Sequence, residues 1–324
     1  MKLLLPILLS ILPTSLYPLP STNYQRPTSL YPLPVTTYQR PTSLYPLPST
    51  NYLVPPTLYQ LPCTIISFNI RYDNPADGIN AWPQRKSAIA SFVKEKNPDF
   101  LGIQEGLSHQ VKYLDSQLSE THRYIGVGRD HGDERGEYCA LFYNFHRYEL
   151  ITMENIPTTV WLSQTPQIPS KGWDAALPRI ATFGQFRDLQ TGKILLVINT
   201  HFDHIGATAR QKSMALIYLI ITRHQHSFDG VILLGDMNLP PDSKPIKWIS
   251  KRMRDSYFDQ DPRGTFNGFN PLMHALNPGP RIDYIFTSRN LNVTSCSVDY
   301  RFRTDSSSLG YLSDHYPVII EISN

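Results

Sequence analysis

The sequence predicts an α/β protein in which sheets pack against each other and helices lie outside. Two observations from residue 63 onward carry that expectation. Eight short apolar runs of strand length recur, and only three stretches with helical spacing interrupt them. Many strands with few helices bury their apolar faces best when sheet packs on sheet. A third observation bounds the domain: the first 62 residues are a different material, holding 13 of the 28 prolines and 7 of the 19 tyrosines.

The chain opens with MKLLLPILLSILP, a lysine and then an apolar stretch of signal-peptide size. The stretch is too short to span a bilayer. Residues 1–13 are therefore expected to be a signal peptide, which implies a secreted protein. Residues 14–62 repeat with a period of seven, prolines falling at 13, 20, 27, 34, 41, 48, 55 and 62. Proline in every seventh place forbids the coiled coil that such a period suggests elsewhere. The segment is expected to be an extended or disordered stalk.

From Cys63 the elements follow in order. CTIISFNIR (63–71) and DFLGIQE (99–105) read as buried strands. QRKSAIASFVKEKNP (84–98) spaces Ile89, Phe92 and Val93 as a helix ending at Asn97-Pro98. Val111, Leu114 and Leu118 mark a second helix, and EYCALFYN (137–144) a further strand. The proline-rich stretch 152–178 reads as a long lid-like loop, in which Trp161 and Trp173 are expected to pack. IATFGQF (180–186) and KILLVINTHF (193–202) are strands, followed by a helix with Met214, Ile217, Tyr218 and Ile221 on one face. GVILLGD (230–236), RIDYIF (281–286) and YPVIIEI (316–322) complete the set.

Charge excludes some functions. Three of the 30 basic residues and no acid lie in the first 62 positions, which leaves 27 basic against 27 acidic residues in 63–324. A neutral domain is not a general polyanion binder, so any phosphate must be held by a local site. The three cysteines, Cys63, Cys139 and Cys296, are too far apart for a zinc ribbon; buried thiols are expected, with one disulfide open.

Each apolar strand also ends in a residue foreign to a core. Asn69 follows IISF and Glu105 follows FLGIQ. Asn199, His201 and Asp203 alternate after ILLVI, and Asp236 and Asn238 follow VILLG. Asp283 lies inside RIDYIF, and Asp314-His315 stand just before the last strand. Taken singly each has a plain alternative: Asp283 as an ion-pair partner of Arg281 or Arg289, GD at 235–236 as a turn, Arg179 as a surface cation. Six strand ends doing the same thing point to one shared site. Oxygen donors without cysteine pairs suit a hard cation, Mg²⁺ or Mn²⁺. Glu105 and Asp314, with Asn69 helping, are the metal candidates. Asp283 orients and charges His315, and Asp236 with Asn238 aligns or deprotonates a water. His201 and Arg179 neutralise charge on phosphate oxygens. Together this describes metal-assisted hydrolysis of a phosphoester.

SFNIR, IQE, NTHFDH, GDMN, RIDYIF and SDHYP, in this order across nearly all of 63–324, resemble the endonuclease/exonuclease/phosphatase family. The resemblance implies a four-layer α/β sandwich with a Mg²⁺ site at one end of the paired sheets. By analogy Glu105 binds the metal with Asn69 and Asp314 beside it, Asp236 and Asn238 handle the water, and Asp283–His315 and His201 meet the phosphate. WDAALPRIATF (173–183) and TFNGF (265–269) look closer to the polyadenylate-exonuclease-like branch. Arg71 departs from the abasic-site enzymes, which carry an acid there, and so argues against that specificity and a second metal ligand.

The motifs fix the reaction rather than the substrate. A secreted Mg²⁺-dependent phosphodiesterase or nuclease is the favoured expectation, with nucleic acid as a possible partner and a monomeric state. A phosphomonoesterase or a lipid or inositol phosphate phosphatase is the alternative. From another class, a non-catalytic surface protein would make the repeat its working part. Asn292 in NVT matches a glycosylation tripeptide.

Overall fold

The computed structural model describes residues 62–151, 157–223, 227–257, 264–270, 279–303 and 310–323. The signal-peptide and repeat expectations for 1–61 lie outside the described residues.

Two parallel strand pairs organise the fold, one in each sheet. β1 (Cys63–Asn69) runs parallel to β2 (Phe100–Gln104), and α1 (Trp82–Lys96) makes the crossover. β8 (Ile194–His201) runs parallel to β9 (Gly230–Asp236) through α3 (Ala207–Arg223). The first sheet is completed by β3 (His122–Ile125), β4 (Leu141–Asn144), β12 (Asn292–Val298) and β15 (Val318–Ser323), in the order β12-β15-β1-β2-β4-β3. The second adds β5 (Tyr148–Ile151), β6 (Thr159–Trp161), β7 (Ile180–Asp188), β10 (Arg254–Asp255) and β11 (Asp283–Thr287). Its order is β10-β11-β9-β8-β7-β5, with β6 on β7. A small hairpin pairs β13 (Phe302–Arg303) with β14 (Gly310–Tyr311).

Period-two alternation builds the layers. In β1, Ile65 lies in the core between the sheets, together with Phe100 of its own sheet and Phe186, Val197 and Ile232 of the second. Ile66 and Phe68 face Ile89, Phe92 and Val93 of α1 and Leu114 of α2 (Ser108–Leu118). On the far side Ile198 and Leu233 meet Met214, Ile217 and Ile221 of α3 and Ile249 of α4 (Lys244–Ser250). Helix, sheet, sheet, helix: the fold is the expected α/β sandwich.

Some boundaries differ from the sequence reading. The strand expected at 137–144 starts only at Leu141. Residues 128–138 instead close on themselves, Arg129 N donating to Glu137 O at 3.1 Å, and Tyr138 makes isolated bridges to Gly106 and Gly128. The loop expected over 152–178 contains β6, where Trp161 is buried and its Nε1 donates to Arg129 O at 2.7 Å. β1 stops at Asn69 because Arg71 takes a left-handed conformation (φ 56°). Cys63 and Cys139 are buried thiols, as expected, and no disulfide joins the three cysteines. Asn292 opens β12 and is exposed.

Candidate active site

Topology brings the strand ends together. β1, β2, β8 and β9 finish in or just before Asn69, Glu105, His201 and Asp236, all at the carboxyl ends of parallel pairs. β11 is antiparallel to β9 with Asp283 directly opposite Asp236, so it starts at that same end. β15 is antiparallel to β1, which brings Asp314 and His315, just ahead of it, to the same edge. The nine residues given catalytic, phosphate or metal roles in the sequence thus gather at one edge, Asp314 joining Glu105 through Arg71.

At the centre is Asn69, fully buried, whose Nδ2 lies 3.0 Å from Glu105 Oε1, 3.2 Å from Asp236 Oδ2 and 3.4 Å from His315 Nε2. His315 Nδ1 donates to Asp283 Oδ2 at 2.9 Å, and its Nε2 faces Asp236 Oδ2 at 3.8 Å. The Phe266 ring stands edge-on to the imidazole at 5.0 Å. Burial opposes charge on His315, but Asp283, then Asp236 and Asp314, outweigh it and hold the ring protonated, well above its ordinary value. Asp283 makes no pair with Arg281 or Arg289. Arg281 is bound to Asp255, and Arg289 donates to Ser250 O.

Asp236 Oδ1 accepts from Asn238 N at 2.8 Å. Burial and the charge of Asp283 push its carboxyl up to about 7. Asn238 Nδ2 donates to Phe202 O at 3.0 Å and lies 3.1 Å from His201 Nε2. His201 Nε2 is 3.4 Å from Asp236 Oδ2, while Arg179 Nη1 donates to His201 Nδ1 at 3.1 Å. Burial, then the charges of Arg179 and Arg129, hold His201 well below its ordinary value. With the ring neutral, the His201–Asp236 contact is not an ion pair.

On the other side Glu105 Oε2 accepts from Tyr72 N at 3.3 Å and lies 4.0 Å from Arg71 Nη1, which is also 3.6 Å from Asp314 Oδ2. Asp77 anchors that guanidinium at 3.1 and 3.2 Å. Burial and Glu105 raise the Asp314 carboxyl against the pull of His315 and Arg71. Glu105 and Asp314 offer hard carboxylate oxygens, which fit Mg²⁺ or Mn²⁺ better than zinc, whereas Asn69 Oδ1 accepts from Arg71 N at 3.0 Å and its Nδ2 faces the carboxylates. One atom each of Asp236, Asp283 and His315 also falls within 4.8 Å. His315 Nδ1 and Asp283 Oδ2 are already joined by a hydrogen bond, so this group fits proton handling better than metal binding.

Arg71 (φ 56°), Glu105 (φ 63°) and Asn238 (φ 47°) are non-glycine residues in the left-handed region, where strain collects at functional sites. The sequence reading missed the supports beneath them. Arg85, fully buried in α1, donates to the carbonyl oxygens of Ile70, Asn80, Leu312 and Arg71. Gln110 accepts from Asp73 N and donates to Arg71 O. A signal for Arg85 existed: with Trp82, Ile89 and Phe92 it lies on the apolar stripe of its helix. Asn199 and Asp203 continue the alternation of His201 but do other work. Asn199 Nδ2 donates to Ile103 O and Ala140 O between the sheets, and Asp203 accepts four backbone N–H groups from 176–177 and 205–206.

This arrangement is that of a phosphoesterase, and residues 66–315 match the Endonuclease/Exonuclease/phosphatase family. The chain belongs to that family. Among solved structures it resembles the Bacteroides thetaiotaomicron mannosyl-6-phosphatase, at 34% identity and TM-score 0.74 over 81% of this chain and 100% of that one. Another family protein from Bacteroides thetaiotaomicron is 35% identical, TM-score 0.73, over 81% of this chain and 97% of its own. An uncharacterized protein of Acanthamoeba polyphaga mimivirus is 25% identical over 74% of this chain and 91% of that protein.

Proposed function

We propose that the protein is a metal-dependent phosphomonoesterase acting on a phosphorylated sugar. The observation that carries the hydrolytic reading is the His315–Asp283 hydrogen bond at 2.9 Å with His315 Nε2 facing Asp236 Oδ2 at 3.8 Å, all at one strand-end cleft. Full-length similarity to a mannosyl-6-phosphatase favours a terminal phosphate and a sugar over the diester or nucleic acid that the motifs suggested. Nucleases share the family, so a phosphodiesterase is the second reading.

In this mechanism Asp236, its Oδ1 steered by Asn238 N, takes a proton from the attacking water. His315 Nε2 is only 3.8 Å from Asp236 Oδ2, too close for the two to serve opposite ends of an in-line displacement. His315 therefore holds a non-bridging oxygen beside the entering water, and its charge is fixed by Asp283. His201, held between Arg179 and Asn238, lines the side of the cleft where another phosphate oxygen would sit. Glu105 and Asp314 would hold the cation, with Asn69 Nδ2 orienting Glu105, and the cation would supply Lewis-acid stabilisation of phosphoryl charge when bound. Residues 1–13 support secretion and 14–62 a tether for the enzyme, which N-terminal sequencing of the exported protein tests.

The test is hydrolysis by the full chain of mannose carrying a 6-phosphate, bis-p-nitrophenyl phosphate and oligo(A), with Mg²⁺ or EDTA. Asp283→Asn and His315→Ala serve as controls. Metal-dependent release of phosphate from the sugar, lost by about 100-fold or more in both variants, supports the reading. Cleavage of only the diesters moves it to a phosphodiesterase. Full activity in His315→Ala refutes the mechanism.

A further inference from the structure

TFNGF (265–269) plays no direct part in the hydrolysis, yet it lies between the two chain segments that carry the His315–Asp283 pair. On one side the hydroxyl of buried Thr265 accepts from Ile282 N at 3.0 Å and from Asp283 N at 3.1 Å. On the other, Thr265 O accepts from Tyr316 N at 2.7 Å, and Asn267 N and Gly268 N donate to Asp314 O at 2.7 and 3.1 Å. Phe266 and His315 form an isolated antiparallel bridge between these bonds. The side chain of Asn267, also buried, donates to Ser313 O at 3.1 Å, while its Oδ1 accepts from Phe269 N at 2.8 Å and closes the loop on itself.

Asp283 and His315 are 32 residues apart and approach from different sheets. Asp283 opens β11 of the second sheet, and His315 stands just ahead of β15 in the first. Their contact therefore depends on how the two sheets are held at this end. The Asp283 carboxylate receives little help of its own. Its Oδ2 meets His315 Nδ1 at 2.9 Å, but its buried Oδ1 has no hydrogen-bond partner among the described residues. Backbone placement must then aim this carboxylate, and Thr265 holds the Asp283 N–H. One threonine thus grips both partners, by its hydroxyl at the acid and by its carbonyl at the residue after the imidazole.

We propose that Thr265, with Asn267 beside it, is the positioning residue of the acid–imidazole pair: a splint across the two sheets that sets the separation of Asp283 Oδ2 and His315 Nδ1, and with it the aim of His315 Nε2 at Asp236. This deepens the phosphoesterase reading and rests on it. Thr265 acts through Asp283 and His315 rather than on the substrate. The hydroxyl oxygen is the group required, because one atom accepts two N–H donors while the branched side chain keeps it in place. Valine has the same shape and removes the acceptor that both N–H groups share, whereas serine keeps it.

The experiment reads the proton between His315 Nδ1 and Asp283 Oδ2 as a far-downfield ¹H resonance of the full chain, assigned by its loss in His315→Ala, together with kinetics. Thr265→Val should move that resonance upfield as the bond lengthens. It should also lower kcat for the phosphorylated sugar by about tenfold to 100-fold with KM little changed, since a displacement of about 1 Å is enough. Thr265→Ser should keep the wild-type resonance and most of kcat. In an Asp283→Asn background the valine substitution should lower the residual kcat by less than about threefold, because the partner it acts through is already gone. A wild-type resonance in folded Thr265→Val overturns the proposal. So does an equal loss of kcat in both backgrounds, or a loss in Thr265→Ser as large as in Thr265→Val. If Thr265→Val does not fold, Asn267→Ala, which leaves both bonds to the Thr265 hydroxyl in place, decides: an upfield move supports the splint and an unchanged resonance overturns it. If the wild type hydrolyses no phosphoester, the proposed function fails, while the resonance, which requires no turnover, still decides this proposal.

Discussion

Arg85→Met removes a guanidinium that ties three separated segments together beneath the site. Its four hydrogen bonds run to carbonyls of residues 70 and 71 after β1, residue 80 ahead of α1, and residue 312 ahead of β15. No carboxylate shares them. Hydrogen bonds to a charged group contribute about 1.5–3 kcal/mol each, hence roughly 6–12 kcal/mol gross for four. Against this, burial, outweighing the carboxylates of Asp314 and Asp77, lowers the guanidinium from its ordinary value to about 10, a net opposing effect of roughly 3 kcal/mol. A net loss of at least about 3 kcal/mol is expected from Arg85→Met, since methionine fills the space but leaves the carbonyls unpaired. In a domain of this size that lowers Tm by roughly 6–12 °C. Urea unfolding of wild type, Arg85→Met and Arg85→Lys measures it, with lysine recovering only part because one ammonium cannot reach four acceptors in this fork. A loss below about 1 kcal/mol in Arg85→Met would refute the reasoning, for the carbonyls must then find other partners at no cost.

Other outcomes follow from single contacts. His122 is a buried neutral ring, Nε2–H donating to Pro98 O at 2.6 Å, and burial lowers it from its ordinary 6.5. The unfolded chain therefore binds the proton first, and stability is lost as pH falls through 6.5. Urea midpoints at about pH 7.5 and about pH 5.5 should differ less in His122→Gln than in the wild type. Gly235 has φ 138°, and a Cβ there would lie 1.9 Å from Thr200 O in the neighbouring strand. Gly235→Ala should cost at least about 3 kcal/mol or prevent folding, and soluble protein with wild-type Tm contradicts the tight β8–β9 approach. Glu105→Gln should weaken Mn²⁺ binding by at least about tenfold in calorimetry, and unchanged affinity would move the cation to Asp236, Asp283 and His315.

What could be read without coordinates depended on whether a residue's signal was local. β1, β2, β8 and β9 are apolar on both faces, so each polar residue at their ends stood out, and topology then needed only to bring four such ends together. β12 (NVTSCSV) lies at the edge of its sheet, largely polar and half exposed, and nothing in its composition distinguishes it from a loop. α4 is 7 residues long and opens on Lys244-Pro245, too short for a periodic stripe to declare itself. The loop 128–138 reads from its sequence only as charged. Yet Arg129 and Glu137 are largely buried against each other, because the Trp161 indole closes over the Arg129 backbone from a distant strand.

The same division runs through the site. Residue types announced the chemistry of Asp236, Asp283 and His315, but the protonation of each depends on distances that sequence does not contain. His201 and His315 are both buried imidazoles at strand ends. His315 faces Asp283 and is held charged; His201 faces Arg179 and is held neutral. Two identical side chains thus acquire opposite states: carboxylates led by Asp283 outweigh burial at His315, while at His201 burial and the guanidinium charges led by Arg179 act together. Exchanging those neighbours, with Asp283→Asn to release one proton and Arg179→Met to free the other lone pair, should bring both rings back toward ordinary titration. Their ¹⁵N shifts across pH read that directly. A His315 that stays protonated at neutral pH without Asp283 would assign its charge to Asp236 and Asp314 instead.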